Sequence, residues 1–294
     1  MENKMKFNQS VIDIIKKRFS CRTYTDEAIE ENKKNILNEF FLSDKSCPFN
    51  TPSRFELIAA TEEDRKSLKG LGTYGFIRGA TGFIGGSVKK ANNDLEDYGY
   101  LMEKIILLAT DIGLGTCWLG GTFNKSNFAN KISLLEDEIM PAVVAIGYKQ
   151  EKRGTIESFI RWKAGSDSRQ PWEIMFFNEN FSTPITKAQA GVYADVIEMV
   201  RLAPSASNKQ PWRIVKDKSK NDFHFFLSRT KGYDKNIKMF KLADLQRVDM
   251  GIAMCHFELT ANELGLKGKW ELKKPNIESL PEDTQYIATW EEMN

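Results

Sequence analysis

Residues 97–118 occur twice in this chain. Shifted by 152 positions, DYGYLMEKIILLATDIGLGTCW falls without a gap on DMGIAMCHFELTANELGLKGKW, residues 249–270. Eight of the 22 pairs are identical, among them Asp97/Asp249, Gly99/Gly251, Met102/Met254, Gly113/Gly265 and Trp118/Trp270. A unit this long is neither a solenoid repeat nor a propeller blade, so 294 residues carrying two copies read as a duplicated domain. Each copy reads as a long buried helix. Leu101, Ile105, Leu108 and Ile112 recur at steps of four, three and four, an apolar stripe flanked by more apolar residues. Gly113 and Gly265 follow the last periodic positions, where a residue able to take positive φ ends a helix. What comes next differs: GTCWLGG after the first copy, KGKWE after the second.

The duplication extends upstream. A helix over 32–42, the loop SDKSCPFNTPS and a strand over 54–60 recur in the same order as GVYADVIEMVRL, APSASNKQPW and RIVKD. MPAVVAIGY, residues 140–148, reads as a strand buried on both faces, with an echo at 286–290. The glycine-rich GATGFIGG, residues 79–86, imitates a dinucleotide-binding loop, but no sustained apolar strand precedes it and no striped helix follows. It reads as a glycine-punctuated strand. From Lys149 to about Thr186 the repeat is lost. The expected organisation is therefore a first half over 1–150, a connecting arm over 151–186 in which RQPWEIMFF docks by its aromatics, and a second half over 187–294.

Composition excludes several classes. Basic and acidic residues are balanced, 42 against 40, and no basic block stands out, so nucleic acid is not an expected partner. The longest apolar runs are far too short to span a bilayer, and MENKMKFNQS has no signal-peptide core, which favours a cytoplasmic protein. Four cysteines without CxxC spacing and two histidines supply no metal site. A Ser-His-Asp hydrolase would have to recruit His224, in the strand-like DFHFFL, or His256, in the middle of the repeated helix. Both read as structural residues.

The segment RFSCR closes the first short helix, QSVIDIIKK. Arg18 and Arg22 could simply complement the helix C-terminus, or with Ser20 they could converge on one phosphate. With GLGTCWLGG at 113–121, AVVAIGY at 142–148, RQPW at 169–172 and APSASNKQPW at 203–212, this segment makes nearly the whole chain resemble the nitroreductase family of flavin enzymes. The resemblance implies an α+β sandwich, a nitroreductase-like fold with a mixed or antiparallel sheet and a long central helix in each half. It also implies FMN as cofactor. By the same resemblance Arg18, Ser20 and Arg22, helped by Arg169, hold the phosphate and ribityl end. Trp118, Leu119, Gly120 and Gly121 line the ring, with a backbone N–H of Gly120 or Gly121 directed toward N5. Pro204, Ser205, Ala206 and Asn208, which in the family come from the opposite subunit, reach over from the second half. Arg78 is a further candidate, near the flavin pyrimidine.

The halves are unequal carriers of these motifs. The first has the phosphate segment and glycine loop, the second the complete APSASNKQPW. This predicts a fused pseudo-dimer, a monomer with one composite FMN site whose mirror-image site is lost. The expected activity is hydride transfer from NAD(P)H through FMN to a nitroaromatic, quinone or similar acceptor, in ping-pong order and with no obligatory catalytic side chain. A reductive dehalogenase or flavin-degrading relative would share these features. The alternative from another class is a non-catalytic protein that binds or stores flavin.

Overall fold

The computed structural model describes residues 7–59, 68, 71–150, 168–233, 243–277 and 279–293. The first part of the expected connecting arm, residues 151–167, lies outside them. In chain order, α1 (Val11–Lys17) and α2 (Glu31–Ser43) precede β1 (Ser53–Ala59) and β2 (Gly82–Lys89). The first copy of the repeat is α3 (Asp94–Asp111), followed by β3 (Gly115–Leu119), α4 (Lys125–Lys131), β4 (Glu138–Ile139) and β5 (Val143–Gly147). Then come β6 (Phe176–Asn178), α5 (Lys187–Ala190), α6 (Ala194–Leu202), β7 (Trp212–Lys216) and β8 (Phe223–Ser228). The second copy is α7 (Leu245–Glu263), and β9 (Gly268–Glu271) and β10 (Thr284–Glu292) follow it.

The strands form two sheets of the same design. The first runs β1-β2-β5-β3 with β4 beside β2, and the second runs β6-β7-β8-β10-β9. Without β4 and β6 the two orders are the same, and every shared pairing is antiparallel. β6 lies within the segment expected to be a connecting arm. It pairs in parallel with β7, placing Phe176 opposite Ile214, so the end of that segment is an edge strand of the second sheet. Three residues are too short for a period-two pattern to announce a strand. GATGFIGG enters β2, as its flanks imply, and its glycines serve packing. A methyl on Gly86 would strike the ring of Phe55, and one on Gly85 would strike Ile132.

The repeated helices lie against each other between the sheets. Every residue of α3 is buried, which is why its apolar pattern extends round the helix. The glycines that survive in both copies explain how the backbones come so close. A Cβ on Gly99 would fall on the carbonyl of Val248, and one on Gly251 on the carbonyl of Glu96. Glu96 and Val248 are themselves repeat equivalents, so the contact is reciprocal, as about a twofold axis. Both helices stop at glycines with positive φ, +85° at Gly113 and +76° at Gly265. Their last acidic residues, Asp111 and Glu263, are also equivalents, and together they hold the start of α1. Asp111 accepts from the N–H groups of Asn8 and Gln9 at 2.7 and 3.1 Å, and Glu263 from Val11 N–H and Ser10 Oγ–H.

Candidate functional site

A cleft of about 270 Å³ opens where the two halves meet. From the first half it is lined by Ser20 and Arg22, by Phe76 and Ile77, by Cys117 through Thr122, and by Ala142. From the second half come the loop Pro204–Ser207 and one face of α7, carrying Leu245, Val248, Asp249 and Ile252.

Main-chain pairing fixes the Ser20–Arg22 wall. Ser20 bridges to Thr116 beside β3, Cys21 N–H donates to the Thr116 carbonyl at 2.8 Å, and Arg78 N–H donates to the Arg22 carbonyl at 2.9 Å. Buried Tyr24 locks the turn from below, donating to the carbonyls of Cys21 or Ala145 at 2.7 and 3.1 Å. Burial pushes its phenol well above the usual range, so it stays a neutral donor. The glycine wall continues β3. A methyl on Gly120 would meet the Leu245 side chain of α7, which would have to turn aside, so the glycine lets the two halves pack closely there.

The opposing loop is strained. Ser207, Asn208 and Gln210 all have left-handed backbones, with φ of 50°, 54° and 49°. It is braced from behind: Gln210 N–H donates to Ser205 Oγ at 2.9 Å, and Gln210 Oε1 accepts from Gln170 N–H at 2.9 Å. Ala206 N–H donates to Asp249 Oδ1 at 2.9 Å, which ties the loop to α7.

The structure brings together Ser20, Arg22, Trp118, Leu119, Gly120, Gly121, Pro204, Ser205 and Ala206 on one cleft. It sets Arg18, Arg78, Arg169 and Asn208 outside that lining. Arg18 has a side chain only 6% exposed and faces Glu103, with Nε 3.8 Å from Oε1. Arg78 is exposed, and its main chain splints residues 22–24. Arg169 donates to the Leu202 carbonyl at the end of α6, at 3.0 Å, where a helix C-terminus favours a cation. Asn208 donates to the Ser168 carbonyl at 3.1 Å and so belongs to the brace behind the loop.

Glu103 centres a buried network behind the cleft wall. Trp118 Nε1–H donates to its Oε2 at 2.8 Å, and His256 Nε2 stands 3.0 Å from its Oε1. His256 Nδ1 is 2.9 Å from the Met199 carbonyl, which can only accept, so Nδ1 carries a hydrogen. Arg18, Glu103 and Trp118 belong to the first half, His256 to the second. His224 has a structural place as well, with Nδ1 2.8 Å from Thr289 Oγ1 in the second sheet. Among the described residues no group of three or more His, Cys, Asp or Glu could hold a metal, and no helix is long and apolar enough to cross a membrane.

Chemically, the residues lining the cleft bring the Arg22 guanidinium and the Ser20 hydroxyl to one wall, a glycine stretch beside them, and apolar side chains from Leu119, Ala142, Leu245 and Ile252. That donor set suits a flat aromatic ring system with an anionic tail. Sequence reading missed the contribution of α7. The identity of Asp97 and Asp249 within the repeat was the available signal for one of its residues.

A family model described as "Putative TM nitroreductase" matches residues 10–261. No curated protein matches the chain. Among solved structures, a "putative nitroreductase" from Thermotoga maritima is similar over 98% of this chain and 96% of its own, with 19% identity and a TM-score of 0.59. That likeness speaks for the fold. A nitroreductase family protein from Clostridium difficile 630 covers 54% of this chain and 92% of its own, with 21% identity and a TM-score of 0.40.

Proposed function

Because the chain belongs to the TM nitroreductase family, we propose that it is an oxidoreductase that works with one FMN held in the cleft between its halves. The observation that carries this reading is the composite wall. A guanidinium and glycine stretch from one half face a strained loop and a helix from the other across a single apolar slot. Arg22 and Ser20 would hold the anionic tail, because an arginine fork matches phosphate oxygens. Trp118–Gly121 would run along the ring, where missing side chains let backbone N–H groups approach it. FMN, when bound, supplies two-electron hydride chemistry between NAD(P)H and an electron-poor acceptor such as a nitroaromatic or quinone, each using the cleft in turn. Leu119, Leu245 and Ile252 would exclude water from the slot, which strengthens every polar contact made inside it.

Purification gives the first test: the protein should be yellow, or should become so on adding FMN, with flavin fluorescence quenched on binding. Anaerobic addition of NADH or NADPH should then bleach the flavin, and a nitroaromatic or quinone should restore the colour. A bound flavin that stays oxidised with both nucleotides removes the oxidoreductase reading and leaves flavin binding or storage.

A further inference from the structure

Asp97 in α3 and Asp249 in α7 are repeat equivalents, and each anchors the loop before a strand of its sheet, β1 for Asp97 and β7 for Asp249. Asp97 uses both oxygens: Phe49 N–H donates to Oδ1 at 3.0 Å and Thr51 N–H to Oδ2 at 2.7 Å. Asp249 uses one, accepting from Ala206 N–H through Oδ1 at 2.9 Å. Its Oδ2 is buried without a hydrogen-bond partner among the described residues, although Asp249 lines the cleft and is 2% exposed. A carboxylate in that state would leave half its charge unsolvated, a costly arrangement.

The charged groups nearby do not relieve it. Asp244, at the start of the same helix, is paired with Arg229 at 2.6 Å, and Tyr233 is a phenol held neutral. Arg247, two residues from Asp249, is committed to Glu96 and Asp94 on α3 at 2.5 and 3.4 Å. Across the cleft stands Arg22. Burial above all lifts the Asp249 carboxyl well above its ordinary value; the Ala206 N–H opposes this and the charge of Asp244 adds to it.

We propose that Asp249 is the hydrogen-bond donor of the cleft: its carboxyl keeps a proton on Oδ2 and offers it to a carbonyl, nitro or imine atom of the molecule bound there. The inference deepens the flavin reading and rests on it for the ligand. The cleft then has two chemical ends, a cationic one at Arg22 for an anionic tail and a neutral donor at Asp249 for an uncharged acceptor atom. Burial raises the Asp97 carboxyl too, but both of its oxygens already accept backbone N–H groups, so the equivalent residue has no unpartnered oxygen to turn to a ligand.

The proton is read first on the full-length chain without flavin. Carbon-13 NMR of labelled aspartate, assigned with Asp249→Asn, should show one carboxyl still protonated at neutral pH, where ordinary aspartates have ionised near ~3.9. If Asp249 titrates with the exposed aspartates, the proposal is overturned. Binding then locates the acceptor atom. Asp249→Asn retains an acceptor for Ala206 N–H and a donor toward the cleft, so it should bind like the parent; Asp249→Ala removes both. If the acceptor atom belongs to the flavin, Asp249→Ala weakens FMN binding by about tenfold, the scale of one lost hydrogen bond. If it belongs to the electron-accepting substrate, FMN affinity holds and the KM for that substrate rises with kcat nearly unchanged. Equal FMN affinity and equal KM in Asp249→Ala and the parent overturn the proposal. Should Asp249→Ala not fold, the pH dependence decides: parent affinity must fall as the carboxyl ionises while that of Asp249→Asn stays level. A chain with a neutral Asp249 that binds no FMN defeats the functional reading and leaves the proton where we place it.

Discussion

Arg18 and Arg22 lie four residues apart and face different surroundings. Arg22 lines the cleft, held by the pairing of its own main chain with Arg78, whereas Arg18 turns inward to Glu103. Arg22→Ala should therefore weaken FMN binding by about 1.5–3 kcal/mol, the range for a hydrogen bond to a charged group, without unfolding the chain. Fluorescence titration of FMN checks this, and equal affinity would remove Arg22 from the phosphate end. A second residue-scale prediction concerns acid stability. Arg54 donates to both oxygens of Glu138, at 2.8 and 2.7 Å, and this holds the Glu138 carboxyl down at about 2 against an ordinary 4.5. A depressed carboxyl stabilises the fold above its unfolded value and loses that contribution as pH falls through the folded one. The loss should therefore run from about 4.5 down to about 2. Urea melts of the parent should weaken across that window more than those of Glu138→Gln. Parallel pH curves would assign the acid sensitivity elsewhere.

At the scale of elements, the crossing of α3 and α7 sets the positions of both halves. Its closeness depends on Gly99 and Gly251, each facing the backbone of the other helix. Gly251→Ala sets two effects against each other. Alanine favours an isolated helix by about 1 kcal/mol, but the new methyl must push a carbonyl away in a packed core, typically costing about 1–3 kcal/mol. Because the obstacle is backbone, the steric effect should win, and chemical denaturation should show a destabilised protein. An unchanged or raised midpoint would mean that the helices can part freely. The same crossing brings His256 of α7 to Glu103 of α3, and Glu103 holds Trp118 of the cleft wall. Helix packing thus reaches the site through one buried carboxylate.

Over the whole molecule, the reciprocal contacts carry Val248, Asp249 and Ile252 onto Glu96, Asp97 and Tyr100. The two environments are unalike. Glu96 is ion-paired with Arg247, Asp97 is saturated by backbone donors, and Tyr100 is buried beside Glu258, which accepts from Trp270 Nε1–H at 2.7 Å. We therefore expect one FMN per 33.6 kDa chain and a monomer in solution, measurable by flavin absorbance against protein mass and by light scattering. Two flavins per chain would contradict the composite-site reading. Much of this arrangement is legible in the sequence. The repeat announces two equivalent helices, Gly113 and Gly265 mark their ends, and the glycine stretch and APSASNKQPW loop mark two walls of the cleft. β6 escaped because three residues show no period, and the α7 wall escaped because periodicity says that a face is buried without saying against what. The same limit separated Arg18 from Arg22, since a sequence gives the charge and the spacing of a side chain but not its partner. Local pattern, set by neighbours a few residues away, determined the elements, their duplication and the glycines that let them approach. Tertiary structure alone decided which carboxylate meets which arginine and which oxygen of Asp249 goes without a donor, because those contacts join residues more than forty positions apart.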